Sequence, residues 1–270
     1  MTLSELDATT YNVHAGDCLQ WLQGLPSGVA NCCITSPPYW NLRDYGVDGQ
    51  LGREQDVDEY AENMAKVSEE IRRVLRDDGT MWVNIGDTYC NGMISAAPWR
   101  LALTLERWGW LLIQDIIWHK PNAKPENVTR RCTHAHEYLF LFAKSAAYYF
   151  DREAMREPAV YAGVKRGGSK KRYQGQACGM DSKVYDTRNR RTVWSVQTEP
   201  YKHGHQAAYP ESLIEPCVLA SCPVGGLVID PFTGSGTTGV VALKHGRRFI
   251  GAELNPEWAE TSRARMEAIK

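Results

Sequence analysis

The sequence has no run of about 18 consecutive apolar residues and no N-terminal basic stretch leading into an apolar core. A membrane span and a secretory leader are therefore not expected, and a cytoplasmic enzyme is. None of the eight cysteines stands in a Cys-x-x-Cys pair, which argues against a disulfide framework. Cys132, His134 and His136 lie close in sequence, but their alternate spacing suits a strand and no second ligand pair follows, so no metal is expected. Net charge is −1 over 270 residues, so no global field draws the chain to a polyanion, and any such affinity has to come from a local patch. Repeats and low-complexity tracts are also missing. What remains, 43% hydrophobic and 23% charged residues, suits one α/β domain with an insertion and is too short for two full catalytic domains.

Two strand ends organise this chain. The first apolar run, residues 29–34, stops at Thr35-Ser36-Pro37-Pro38-Tyr39. Successive prolines neither extend a sheet ladder nor enter a helix interior, so the strand end is held in a fixed extended turn. In an open α/β sheet ligands bind beyond the strand C-termini, which places Ser36 and Tyr39 at the mouth of a site. The second run, Leu227-Val228-Ile229-Asp230, enters Pro231-Phe232-Thr233-Gly234-Ser235-Gly236-Thr237-Thr238-Gly239 and then a helical stretch to His245. A strand, a glycine turn and a helix N-terminus let backbone approach a ligand closely.

Together these two motifs resemble the S-adenosylmethionine-dependent DNA methyltransferases that modify exocyclic amino groups, in the β-type order with the catalytic motif ahead of the cofactor loop. The resemblance extends to Asn41–Gly46, Asp77–Trp82, Asp115–Trp118 and Ala135–Phe140. It implies a Rossmann-like sheet with helices on both faces, a permuted motif order and an irregular target-recognition insertion. The expected division is a catalytic half at 1–150, the insertion at 151–205 and a cofactor half at 206–270. It further implies Ser36, Pro37, Pro38 and Tyr39 as catalytic residues. For S-adenosylmethionine it implies Asp17, Cys18, Thr35, Asp230, Pro231, Phe232, Gly234, Ser235, Gly236, Thr237, Thr238, Glu253 and Asn255. Asp17 serves equally well, on spacing, as the N-cap of a helix over Cys18–Gln23. Implied partners are double-stranded DNA, a second copy of the chain and a cognate restriction endonuclease.

Gly234-x-Gly236-x-x-Gly239 with Glu253 downstream also fits a dinucleotide fingerprint. That rival fails on position, because such a fold builds several strands after its fingerprint and only one strand and two helices fit here. A carboxylate at Asp230 would repel a pyrophosphate and suits a cationic sulfonium and amino group. Glu253 is able to accept from both ribose hydroxyls, or to serve as an acid at the start of the last helix.

Periodicity predicts a strand at 11–14, a loop over 40–55 able to close on a site, and an amphipathic helix over 56–75 ended by Gly79. Strands follow at 80–85, 112–118 and 138–142, and helices at 98–108 and 210–221. The chain ends in a strand at 248–252 and a helix from Pro256. From 161 to 191 the character changes: Lys165, Arg166, Lys170, Lys171, Arg172, Arg188, Arg190 and Arg191 alternate with glycines and tyrosines. Such a segment buries no core of its own, but it is able to neutralise phosphates and enter a groove.

The expected chemistry starts from an amino nitrogen conjugated into a base ring and buried in a duplex, so the base has to be flipped out. Tyr39 stacks on that ring, while the Pro37 carbonyl and Ser36 hydroxyl accept from the amino group and draw its lone pair toward the methyl donor. Methylation at a ring carbon would need a cysteine nucleophile, and Pro216-Cys217 reads as core. A serine at the head of the motif resembles cytosine N4 enzymes, with adenine N6 as the alternative. An RNA or protein-amine methyltransferase and a catalytically dead DNA-binding homologue are the readings from other classes.

Overall fold

The structure, a computed structural model, describes residues 2–44, 46–47, 49–159, 186–199 and 209–269. The chain runs through α1 (Leu3–Ala8), β1 (Tyr11–Ala15), α2 (Cys18–Gln23), β2 (Ala30–Thr35), α3 (Val57–Val74) and β3 (Leu75–Ile85). A small hairpin, β4 (Tyr89–Cys90) and β5 (Met93–Ile94), precedes α4 (Ala97–Arg107), β6 (Leu111–His119) and β7 (His136–Ala143). β8 (Arg156–Pro158) pairs with β9 (Thr187–Asn189), and β10 (Val193–Ser195) follows. The last elements are α5 (Glu211–Ser221), β11 (Leu227–Asp230), α6 (Thr237–Lys244), β12 (Arg248–Glu253) and α7 (Pro256–Glu267).

Eight strands form one sheet in the order β1-β12-β11-β2-β3-β7-β6-β10. All neighbours are parallel except β7, which is antiparallel to both β3 and β6. The late strands β11 and β12 sit between the early strands β1 and β2, which is the permuted order the sequence requires. Central strands are buried on both faces, so they read as continuous apolar runs. Along β3, Met81, Val83 and Ile85 join the core under α2, α3 and α4, while Trp82 turns to the core under α5, α6 and α7. Helices therefore cover both faces, and Trp82 Nε1 donates to Ser221 Oγ at 2.7 Å to fix α5 across the sheet.

Helix α3 starts at Asp56, whose carboxylate accepts from the Asp58 and Glu59 amides. It ends at the bound the periodicity predicts, but Gly79 is not what ends it. The break comes at Leu75, which turns to extended backbone at ψ 143 and leads directly into β3. Gly79 instead lies where the β2–β3 register shifts between Ala30 and Cys32. A Cβ there would meet the Arg76 carbonyl and Leu75 Cβ at 2.9 Å, so only glycine fits the bulge. A second difference lies within 151–205, where Val193–Ser195 is not irregular. It pairs with β6 as an edge strand and buries Trp194 against the sheet.

The sheet brings the site together at one edge. β2, β3, β11 and β12 all point their C-terminal ends there, as does β6. Because β7 runs the other way, it presents its first residues, His136 and Glu137, at that same edge.

Candidate active site

A cleft of about 1050 Å³ opens beyond these strand ends. On one side stand Ser36, Pro37, Pro38 and Tyr39, with Asn84 from β3, Glu137 from β7, and Trp118 and Lys120 from the end of β6. On the other stand Asp17, Cys18, Pro231, Phe232, Gly234, Ser235, Thr237, Glu253 and Asn255. The two motifs, far apart in sequence, thus face one cavity. The loop after Tyr39 contributes Leu42, Arg43, Val47 and Gln50 to the lining.

Thr35, Asp230, Gly236 and Thr238 are not on the cleft wall but one layer behind it. Asp230 is 1% exposed. Its carboxylate accepts from Thr35 Oγ1 at 2.6 Å, Thr238 Oγ1 at 2.7 Å and the Phe232 amide at 3.0 Å. Burial pushes the Asp230 carboxyl up to about 6, against the lowering effect of these hydrogen bonds, with Glu253 adding to the rise. With the Thr238 proton given to Asp230, the buried Tyr209 hydroxyl donates to Thr238 in turn. This network locks the end of β2 to the end of β11.

Glu253 lines the cleft and accepts from the Gly234 amide at 2.8 Å and the Asn255 amide at 3.0 Å. Burial raises its carboxyl above the ordinary range. It does not start the last helix, because Asn255 caps α7 by accepting from the Glu257 and Trp258 amides. The remaining acceptor capacity of Glu253 is open to a ligand diol. Asp17 caps α2 by accepting from the Gln20 amide at 2.8 Å, and it also lines the cleft.

Tyr39 is held by its hydroxyl, which donates to Glu137 Oε2 at 2.6 Å and accepts from Asn84 Nδ2 at 2.7 Å. Ser36 Oγ lies 3.3 Å from the same hydroxyl. The other Glu137 oxygen pairs with Lys120, whose ammonium also rests 4.4 Å above the Trp118 ring. Glu137 stands in a segment covered by the sequence resemblance, yet spacing alone assigned it no role. Its partners are Asn84 on β3 and Lys120 just past the end of β6, so only the sheet order joins them.

Among the basic residues, Lys165, Arg166, Lys170, Lys171 and Arg172 lie outside the described residues. Arg188 and Arg191 both pair with Glu157, at 2.8 and 3.1 Å, and Arg190 packs 4.9 Å from the Trp194 ring. Cys132 is exposed and His134 stacks on His136 at 4.6 Å.

Comparison with known proteins gives this geometry a family. The model for DNA methylases matches residues 30–264. The chain is 40% identical to the type II methyltransferase M.Cfr9I of Citrobacter freundii, over 97% of this chain and 89% of that protein. It is 39% identical to M.SmaI of Serratia marcescens, over 97% and 92%. Among solved structures, the cytosine-N4-specific PvuII DNA methyltransferase superposes with a TM-score of 0.72 at 21% identity, covering 97% of this chain and 92% of that one. The M1.HpyAVI–SAM complex superposes with a TM-score of 0.59 at 19% identity, over 95% and 98%. With the family model and two relatives of similar length spanning nearly the whole chain, this protein belongs to the DNA methylase family.

Proposed function

We propose that the protein transfers a methyl group from S-adenosylmethionine to the exocyclic amino group of a base flipped out of double-stranded DNA, with cytosine N4 as the acceptor. The observation that carries this reading is the single cleft that holds Ser36–Tyr39 on one wall and the Pro231–Thr237 loop with Glu253 on the other. A methyl donor seated on the second wall faces an amino group held at the first, which is the positioning such a transfer requires. Support for the cofactor comes from the fold shared with the M1.HpyAVI–SAM complex. Support for cytosine comes from the serine at position 36 and from the fold shared with a cytosine-N4-specific enzyme.

In this reading 1–150 supplies the catalytic half, 206–270 the cofactor half and 151–205 the recognition segment. There Lys165, Arg166, Lys170, Lys171 and Arg172 contact phosphates, joined by Arg188, Arg190 and Arg191. A second copy of the chain and a cognate restriction endonuclease complete the set of partners. The test is a nucleoside digest of plasmid DNA incubated with the protein and methyl-labelled S-adenosylmethionine. N4-methylcytosine supports the reading. N6-methyladenine moves the acceptor to the other base, and no labelled nucleoside redirects the search to RNA and protein amines.

Cofactor affinity should depend on pH through Asp230. Its carboxyl ionises only near 6, so at pH 7 it is an anion and at pH 5 it is mostly neutral. An anion one layer behind the wall attracts a sulfonium and an ammonium, and the neutral acid does not. The dissociation constant for S-adenosylmethionine is expected to rise about tenfold from pH 7 to pH 5. Asp230→Asn should bind more weakly at pH 7 and show a shallower profile, with the raised Glu253 carboxyl supplying what pH dependence remains. Equilibrium dialysis across this range checks both, and an Asp230→Asn profile as steep as wild type would refute the assignment.

A further inference from the structure

The hydrogen bonds around Tyr39 have a direction. Glu137, paired with Lys120, is a carboxylate and only accepts, so the Tyr39 hydroxyl must spend its single proton on Oε2 at 2.6 Å. The Tyr39 oxygen is left with lone pairs alone. Asn84 touches both that oxygen and Glu137 Oε2 at 2.7 Å, so the atom making these contacts is its NH2 group. Ser36 Oγ, at 3.3 Å, is a further donor within reach of the Tyr39 hydroxyl. Ser36 therefore points its proton at Tyr39 and presents its own lone pairs to the cleft. Asn84, 1% exposed and on the cleft wall, is left with an amide oxygen that has no partner among the described residues.

From this geometry we infer that Glu137 is the end of a hydrogen-bond chain, Ser36 to Tyr39 to Glu137, that fixes Ser36 as an acceptor for the target amino group and takes up the proton this nitrogen loses. The inference rests on the proposed amino-methyl transfer. In the transfer the nitrogen lone pair forms the new N–C bond while the C–S bond breaks and its electron pair returns to sulfur. The methylated nitrogen is then cationic and gives a proton to Ser36 Oγ. The proton of Ser36 moves to Tyr39, and that of Tyr39 to Glu137 Oε2. Charge balances: the sulfonium has become a neutral thioether, and the carboxylate a neutral acid beside Lys120. With 13% of its side chain exposed, Glu137 has a route to return the proton to water. Glu137 acts through Tyr39 and Ser36 and is a positioning residue in this scheme. Lys120 holds it from the other oxygen, and Asn84 braces the joint.

The test compares Glu137→Gln, Glu137→Asp, Tyr39→Phe and the double variant Glu137→Gln/Tyr39→Phe with wild type. Each is measured for single-turnover labelling of DNA at saturating cofactor and for S-adenosylmethionine affinity. Glutamine still accepts from Tyr39 but takes up no proton at neutral pH. Phenylalanine keeps the ring and cuts the chain. Each is expected to lower the single-turnover rate about 100-fold with cofactor affinity within about twofold of wild type. Glu137→Asp should recover at least about tenfold of that loss. The double variant should be no slower than the slower single variant by more than about twofold, because residues that act as one unit do not add. An unchanged rate in Glu137→Gln, a double variant whose losses multiply, or losses that follow cofactor affinity would overturn the chain. Wild-type protein that labels no DNA would instead overturn the transfer reading beneath it.

Discussion

Replacing Tyr39 with alanine is expected to lower turnover by about 1000-fold or more while leaving the dissociation constant for S-adenosylmethionine within about twofold of wild type. The estimate has two parts. A side-chain ring that stacks on a flipped base contributes roughly 1–3 kcal/mol, and a proton path through a hydroxyl contributes about 10²–10⁴ in rate. Alanine removes both, whereas Tyr39→Phe removes only the second, so the two variants should separate the contributions. The fold should survive the change. Glu137 keeps Lys120 and Asn84 as partners, and Pro38 stays tied through its carbonyl to the Tyr60 hydroxyl at 2.8 Å. The cofactor wall, built from the β11 and β12 ends, is on the other side of the cleft. Asp230→Asn should show the converse pattern, a weakened cofactor affinity with a smaller effect on the rate at saturation. Rate and affinity that fall together in both variants would show that the two walls do not divide the work.

How much of this was legible in the sequence depends on whether the signal was local. Caps and turns were: Asp17 before α2, the two prolines after β2, and Asn255-Pro256 opening α7 all carry their physical reason within a few residues. Apolar runs located the central strands, because burial on both faces leaves nothing else for them to be. Gly79 misled because a glycine past a helical stretch usually caps it, whereas here tertiary pairing with β2 required it for a bulge. β10 escaped notice because three residues are too few for a period, although Trp194 among basic neighbours was a sign of an anchored strand. The site divides in the same way. Ser36, Tyr39 and Glu253 announced themselves at strand ends. Asn84, Lys120 and Glu137 did not, since their meeting depends on β7 running against its neighbours. Asp230 was recognisable as important, yet its place behind the wall followed only from the packing of Thr35 and Thr238.

Gly251→Ala should be among the most destabilising single-methyl changes in the protein. Gly251 lies mid-strand in β12, paired with Val13 on one side and Asp230 on the other. A Cβ there would fall 2.1 Å from Thr233 Oγ1 and 2.8 Å from the Asp230 carbonyl, and the second of these is backbone that has no room to move. Thr233 would have to leave, breaking its hydroxyl bond to the Asp230 carbonyl at 2.9 Å and pulling on its amide bond to Ala252, also 2.9 Å. Overpacking costs about 1–3 kcal/mol, and a buried polar group left unpaired about 1–3 kcal/mol more. Together they predict a melting temperature lower by on the order of 10 °C for a domain of this size. The displaced residue begins the glycine loop, so the stabilisation that S-adenosylmethionine confers on melting should shrink as well. Gly24→Ala is the matched control. Gly24 caps α2 at φ −79, a backbone shape alanine adopts, and its nearest contact for a Cβ is the Trp21 carbonyl at 3.4 Å. There the methyl should be neutral or stabilising by up to about 1 kcal/mol, because it restricts the unfolded chain. Equal melting temperatures for the two variants would mean that the Thr233 contact yields at little cost, and that the β11–β12 edge is a softer support for the cofactor loop than its packing indicates.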